Sequence, residues 1–294
     1  MKIKKSVSGR IFDTANTLFL ICLTLITVYP CYYVFVASVS EPNAFYKGSA
    51  FVLWPRDFGI YSYLNVLKNS DIWLGYRNTL FYVIVGTLLS VILTTSAAFC
   101  LSRSRMKGRN AIMMMITFSM YFGGGMIPTY LTIRSLGILN TPLAMIIPNV
   151  VSAYNLIITL SYFKSIPISL DEAARIDGAG SFTIFWKVML PLATPIVAVI
   201  SLYYAVSIWN DYMSGLLYII NPKLKPLQMV LRDILLQEGG GVNQSGSVSS
   251  GDEVAYAANI RYATIVVSTV PILCVYPFIQ RYFIKGVMIG AVKG

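Results

Sequence analysis

The chain contains no histidine, and only 12% of its 294 residues are charged. A missing imidazole removes the side chain used most often as a proton shuttle or metal ligand near neutral pH. The 12 acidic residues are scattered through loops and termini, so no cluster is offered for acid–base or metal chemistry. Cysteine is scarce. Cys22, Cys31, Cys100 and Cys274 have neither pairing nor metal spacing and read as small buried apolar residues. Charge is low even in absolute terms, because a soluble domain carries about twice this fraction.

What is abundant is apolar sequence: 56% of residues are hydrophobic, and the mean hydropathy is +0.67. Uncharged stretches separate Asp13 from Glu41, Arg77 from Arg103, Arg109 from Arg134, Arg134 from Lys164, Lys187 from Asp211, and Arg261 from Arg281. Each is long enough for a spanning helix, which needs about 20 apolar residues. The expectation is an all-α integral membrane protein. It forms a single domain over 1–294, with six spans near 12–39, 78–102, 110–133, 141–163, 188–220 and 262–280. The fifth is expected to run past Asp211, because Tyr212 to Ile220 stays mostly apolar. The first apolar run is too long for a signal h-region and reads as a retained span.

Basic residues near span ends set the orientation. Lys2, Lys4, Lys5 and Arg10 precede the first span; Arg103, Arg105, Lys107 and Arg109 join the second to the third; Arg281, Lys285 and Lys293 follow the sixth. These three groups lie on one side together if both termini are cytoplasmic. The net charge of +11 is then mostly topology, and nucleic acid is not an expected partner. Trp54 and Trp73 in the 41–76 connection suit the headgroup level. The 221–261 connection holds a Gly/Ser-rich stretch near 237–253 that cannot bury a core and is expected to be mobile.

The longest cytoplasmic connection, 164–190, carries the most polar motif. Ser169 stands three residues before Glu172, the spacing of a capping box. Leu170, Ala173, Ala174 and Ile176 make a short, weakly amphipathic helix near 169–178, and Gly178 and Gly180 end it. Geometry alone leaves two readings open: an interfacial helix that only holds a loop, or a docking element for a soluble partner.

Glu172-Ala173-Ala174, then Gly178, then Val188, Leu190 and Pro191 is similar to the EAA signature of importer-type ABC permeases. Arg77-Asn78-Thr79, the basic turn Leu101–Arg109, Ile127–Leu131, Leu136–Thr141 and Trp209-Asn210-Asp211-Tyr212 resemble the carbohydrate branch of that family. So does the ending Gly286–Gly294. The resemblance covers nearly the whole chain. It is strongest to permeases of polysaccharide and complex-oligosaccharide importers, such as the smaller permease of the alginate importer.

The resemblance implies a type I importer fold in a bacterial cytoplasmic (inner) membrane. It also implies four kinds of partner: a homologous second permease, two ABC ATPase subunits, an extracytoplasmic solute-binding protein and the lipid bilayer. The helix at 169–178 would then be the coupling helix, with Glu172, Ala173, Ala174, Arg175, Asp177 and Gly178 at the ATPase, which the tail ending in Gly294 would also reach. Glu172 can cap its own helix or pair with a base on the ATPase. Arg175 and Asp177 are surface contacts or solvated charges. No Gly-x4-Gly-Lys-Ser/Thr stretch occurs in the chain, so no cofactor is expected here, and ATP with Mg would sit on the partner ATPases.

Asn155, Tyr203, Tyr204, Trp209, Asn210 and Asp211 are candidate pore or substrate residues, since sugars bind by hydrogen bonds and by stacking on rings. The alternative for each is an interfacial anchor or a helix–helix bond. Arg77 and Arg134 could attract an acidic sugar or simply snorkel. A proton-coupled carrier would place ionisable groups inside its spans, and here only Asp211 is borderline.

Overall fold

A polypeptide surrounded by lipid must satisfy its backbone polar groups within each segment, and this chain does so with helices. The computed structural model describes residues 7–46, 52–103, 106–237, 259–274 and 277, and among them there is no strand beyond the isolated bridge between Ser40 and Phe58. Lys2, Lys4, Lys5, Arg105, Arg281, Lys285, Lys293 and Gly294 fall outside the described residues, as does nearly all of the expected mobile loop at 237–253.

Among the described residues two helices are long and apolar enough to cross a membrane unbroken, with spans Ile11–Ser38 and Ser70–Ser102. The third, fourth and fifth expected spans are each divided. Arg109–Tyr121 and Met126–Ser135 meet at 117°, Pro142–Asn149 and Ala153–Ser165 at 51°, and Ser181–Leu192 and Thr194–Trp209 at 83°. The sixth is represented by the shorter apolar helix Asn259–Cys274.

Each break has a local cause. Gly123, Gly124 and Gly125 interrupt the third span, and Gly125 adopts φ +84°, a conformation open to glycine at no steric cost. Pro148 and the Ser152 cap, whose side chain accepts from the Asn155 N–H, separate the pieces of the fourth. Pro191 and Pro195 flank the elbow of the fifth, where proline removes helix hydrogen bonds. The expected run through Asp211 to 220 is not one helix: the Thr194–Trp209 helix stops, and Asp211 Oδ1 accepts from Ser214 N at 3.0 Å to start Met213–Tyr218. Asp acting as a helix-starting acceptor outweighs the apolar character downstream.

The chain divides into two units: Met1–Asn69 with Leu231–Thr269, and Ser70–Val230 with Val270–Gly294. In the first, Val36, Ala37, Phe45 and Val52 bury together against Tyr33 and Tyr262. The Asn259 amide donates to the Ser40 carbonyl at 2.7 Å.

The second unit is built on the Ser70–Ser102 helix. Its buried face is small and polar, with Gly75, Gly86, Ser90, Thr94, Thr95 and Ala98, which lets neighbouring helices approach closely. Near one end, Asn78 Nδ2 donates to the carbonyls of Lys223 and Lys225 at 2.8 and 3.0 Å. The Tyr82 hydroxyl donates to the Leu224 carbonyl, and Leu227 N donates to Thr79 Oγ1, both at 2.8 Å. Near the other end, Phe99 and Leu101 join Phe163, Ile184, Phe185 and Met189 in the main apolar cluster.

The four cysteines, expected to be buried, all lie on the surface of the chain. An apolar side chain in a spanning segment can face lipid as readily as a protein core, so apolarity does not predict burial here.

Candidate functional site

Two regions hold the residues singled out from the sequence. The first is the polar connection. Ser169–Ile176 forms a helix, and it closes with a Schellman-type turn. Ala179 N donates to the Ala174 carbonyl at 2.9 Å and Gly178 N to the Arg175 carbonyl at 3.0 Å, with Gly178 at φ +82°. Glycine at this position avoids the strain that a Cβ would meet in the left-handed region.

The expected capping box does not form. The helix starts one residue after Ile168, whose carbonyl accepts from both Asp171 N and Glu172 N, and no side chain caps it. Backbone carbonyls of the preceding turn already occupy the donors that Ser169 would have taken, and Glu172 is left exposed.

Glu172, Ala173, Asp177 and Gly178 all face outward, with Ala174 and Arg175 half-buried. Ala174 packs against the main apolar cluster. Among the described residues nothing lies within 4 Å of where a Cβ on Gly178 would be. Downstream, Ile184, Phe185 and Met189 are buried within a π-helical stretch, Ile184–Met189, and Val188 and Leu190 pack on the same cluster. The signature thus splits into an outward polar face and an inward apolar plug.

From the sequence, Asp171 suits the positive end of the short helix together with Glu172, but it is not among the expected site residues. It is the one buried residue of the short helix, 6% exposed. Its Oδ2 lies 3.3 Å from Arg175 Nε and 3.8 Å from Arg103 Nη1. Arg103 sits just past the Ser70–Ser102 helix, with its guanidinium 4.9 Å from the centre of the Phe99 ring. The available signal was an acid four residues before an arginine on a helix. Arg103 had been accounted for as a topology charge, and nothing in the spacing ties it to position 171.

The second region is a cavity of about 1250 Å³ between the Ser70–Ser102, Ala153–Ser165 and Thr194–Trp209 helices. Five of the six pore candidates line it: Asn155, Tyr203, Tyr204, Trp209 and Asp211. Asn210 does not; its amide donates to the Val206 carbonyl at 3.0 Å.

Within the cavity the roles differ. Tyr204 is buried and its hydroxyl is spent on structure, bonding Thr94 Oγ1 at 2.7 Å and accepting from Ser152 N at 3.0 Å. Trp209 is also buried, packs 6.2 Å from the Tyr76 ring, and its indole N–H finds no partner among the described residues. Tyr203 pairs with the exposed Tyr154, ring centres 6.4 Å apart, a ring pair that the sequence reading only half identified. Arg77 and Arg134 are exposed and do not line the cavity. Among the described residues no group of His, Cys, Asp and Glu could hold a metal.

The family model described as "Binding-protein-dependent transport system inner membrane component" matches residues 5–289. Protein LplC of Bacillus subtilis (strain 168) is 38% identical over 98% of this chain and 96% of its own length. The polygalacturonan/rhamnogalacturonan transport system permease protein YtcP of the same organism is 38% identical over 98% of this chain and all of its own. A chain from the crystal structure of a bacterial ABC transporter involved in the import of the acidic polysaccharide alginate aligns with a TM-score of 0.86 and 35% identity. That alignment covers 96% of this chain and 100% of that one.

Proposed function

Because the chain belongs to the family of inner-membrane components of binding-protein-dependent transport systems, we propose that it forms half of the pore of an ATP-driven importer for an oligosaccharide or polysaccharide fragment. The other half is a homologous permease, and two ATPase subunits and an extracytoplasmic binding protein complete the machine. Sugar cargo is inferred from the relatives, whose names include a polygalacturonan/rhamnogalacturonan permease and an alginate importer.

The observation that carries the proposal is the two-sided short helix. Its outward face joins the polar or small Glu172, Ala173, Asp177 and Gly178 to the apolar Leu170 and Ile176, all of them exposed. Its inward side is tied to the bundle by Asp171 and Ala174. Such an element can take a push from a soluble partner and pass it on. In this reading the Ser169–Ile176 helix lies on the cytoplasmic side in a cleft of one ATPase, and closure of the ATPase pair moves it and reorients the pore. The Tyr154–Tyr203 pair offers a ring surface to a passing glycan, with the largely buried Asn155 lining the same cavity, a fit for the stacking that sugars use.

The test is reconstitution of the chain with its partner permease, ATPase and binding protein in proteoliposomes. Neutral and uronate-containing oligosaccharides are offered in turn. Hydrolysis stimulated by a glycan-loaded binding protein, with a cysteine at position 172 cross-linking to the ATPase, is the expected result. Full transport without the ATPase, or a position-172 cysteine accessible only from outside the cell, overturns the proposal.

A further inference from the structure

The second unit contains several helices that cross at elbows and, among the described residues, one unbroken span. Arg109–Tyr121 with Met126–Ser135, Pro142–Asn149 with Ala153–Ser165, and Ser181–Leu192 with Thr194–Trp209 are all bent by more than 40°. Only Ser70–Ser102 runs straight through. A bent pair absorbs a push at its joint, whereas a continuous helix carries it along its axis. From Ser102 to Asn78 that helix covers about 36 Å at 1.5 Å per residue.

Both ends of this helix are tied by polar contacts that nothing in the apolar packing requires. One end holds the 223–227 segment through Asn78, Thr79 and Tyr82. The other end meets the short helix through Arg103 and Asp171. Asp171 is buried between two arginines, and only Arg175 belongs to its own helix. An acid that served only to stabilise its helix would be satisfied by that i,i+4 pair at the surface. Burying it against Arg103 is costly unless the pairing is needed. The pair is also incomplete. Asp171 Oδ1 and Arg103 Nε and Nη2 have no hydrogen-bond partner among the described residues, and these are the atoms that a shorter, forked arginine–carboxylate pairing engages.

We propose that Asp171 is a positioning residue: its ion pair with Arg103 latches the Ser169–Ile176 helix to the Ser70–Ser102 helix, which acts as a push-rod delivering the displacement to the 223–227 segment. This rests on the coupling role proposed above and adds the route that the motion takes. Phe99 supports the latch from below, with Arg103 over its ring and Phe163 and Phe185 packed 6.3 and 5.3 Å from it.

The experiment uses the complete transporter in proteoliposomes and reads two quantities. One is ATP hydrolysed per glycan imported. The other is the nucleotide-dependent change in maleimide reactivity of Lys223→Cys, an exposed position on the segment at the far end of the rod. Asp171→Asn and Arg103→Gln are each expected to raise the ATP cost per glycan by about fivefold or more and to abolish the nucleotide response at position 223. The exchange Arg103→Asp with Asp171→Arg is expected to recover both in part. Arg103→Lys, which keeps charge but not the fork, is expected to fall between.

A normal ATP cost in Asp171→Asn and Arg103→Gln overturns the latch. A raised cost with the response at position 223 intact overturns the rod. Should Asp171→Asn fail to assemble, Arg103→Lys and the charge exchange decide by the same two readings. Glu172→Lys is run beside them. If it uncouples and the latch variants do not, only this inference fails; if neither does, the coupling role fails with it.

Discussion

Gly178 offers a test that separates docking from backbone strain. It sits at φ +82° at the end of the short helix, where two backbone hydrogen bonds close the turn. A side chain there costs about 1–2 kcal/mol for an ordinary L-residue, and less for asparagine, which visits the left-handed region more readily. A cost of that size shifts the balance between ordered and frayed turn by a factor of about 5–30. Strain alone therefore ranks Gly178→Asn as milder than Gly178→Ala.

Docking predicts the reverse order. No atom of the described residues lies within 4 Å of the added Cβ, so on the docking reading the space is open to the partner. A methyl group intrudes little and an amide intrudes more. We expect Gly178→Ala to keep most of its uptake per ATP and Gly178→Asn to lose about tenfold or more, with hydrolysis persisting in both. The assay is simultaneous hydrolysis and glycan uptake in proteoliposomes holding the whole transporter. Coupling in the Asn variant equal to or better than in the Ala variant refutes the docking argument and leaves the glycine as a turn residue only.

Glu172→Gln is expected to change the melting temperature of the assembled transporter very little, since Glu172 caps nothing and exposed substitutions fall within about 0.5 kcal/mol; its effect belongs in uptake per ATP. Tyr204→Phe removes two hydrogen bonds of the hydroxyl and is expected to cost about 1–3 kcal/mol of stability, read as lower thermal stability with the KM for uptake unchanged. Tyr154→Ala and Tyr203→Ala are expected to raise that KM a few-fold, in line with the loss of about 0.5–1.5 kcal/mol of ring contact, with no change in basal hydrolysis. Gly215→Ala places a methyl 2.7 Å from the Pro226 ring and is expected to cost about 1–3 kcal/mol by overpacking, visible as reduced yield of folded transporter.

The apolar stretches were legible because charge is expelled from lipid, and that rule acts on every residue of a span. Their elbows were less so. Gly123–Gly125 and the Pro191–Pro195 pair are ordinary break signals, but a length-and-charge criterion passes over them. Asp211 was seen as a charge at the edge of a span, while its hydrogen bond to Ser214 N makes it a helix start. Ser169 and Glu172 had the spacing of a cap, yet spacing cannot tell which residue the helix begins on, and a one-residue offset removed the cap. Asp171 was hidden for a different reason. Its second partner, Arg103, is distant in the sequence, and only the fold brings the two together. Five of the six polar or aromatic pore candidates line one cavity, because residues within or at the edge of neighbouring spans are brought together wherever those helices pack.

The elbow at Gly123–Gly125 has a bearing on biogenesis. The residues from Phe122 to Gly125 are exposed, and no residue of the preceding Arg109–Tyr121 helix is buried in this chain. Non-helical backbone at bilayer depth persists only when shielded by protein or water. If this elbow lies at bilayer depth, its peptide groups need cover that the described residues of the chain do not supply. On the proposed two-permease reading, subunit made in excess of its mate is expected to be degraded faster than paired subunit.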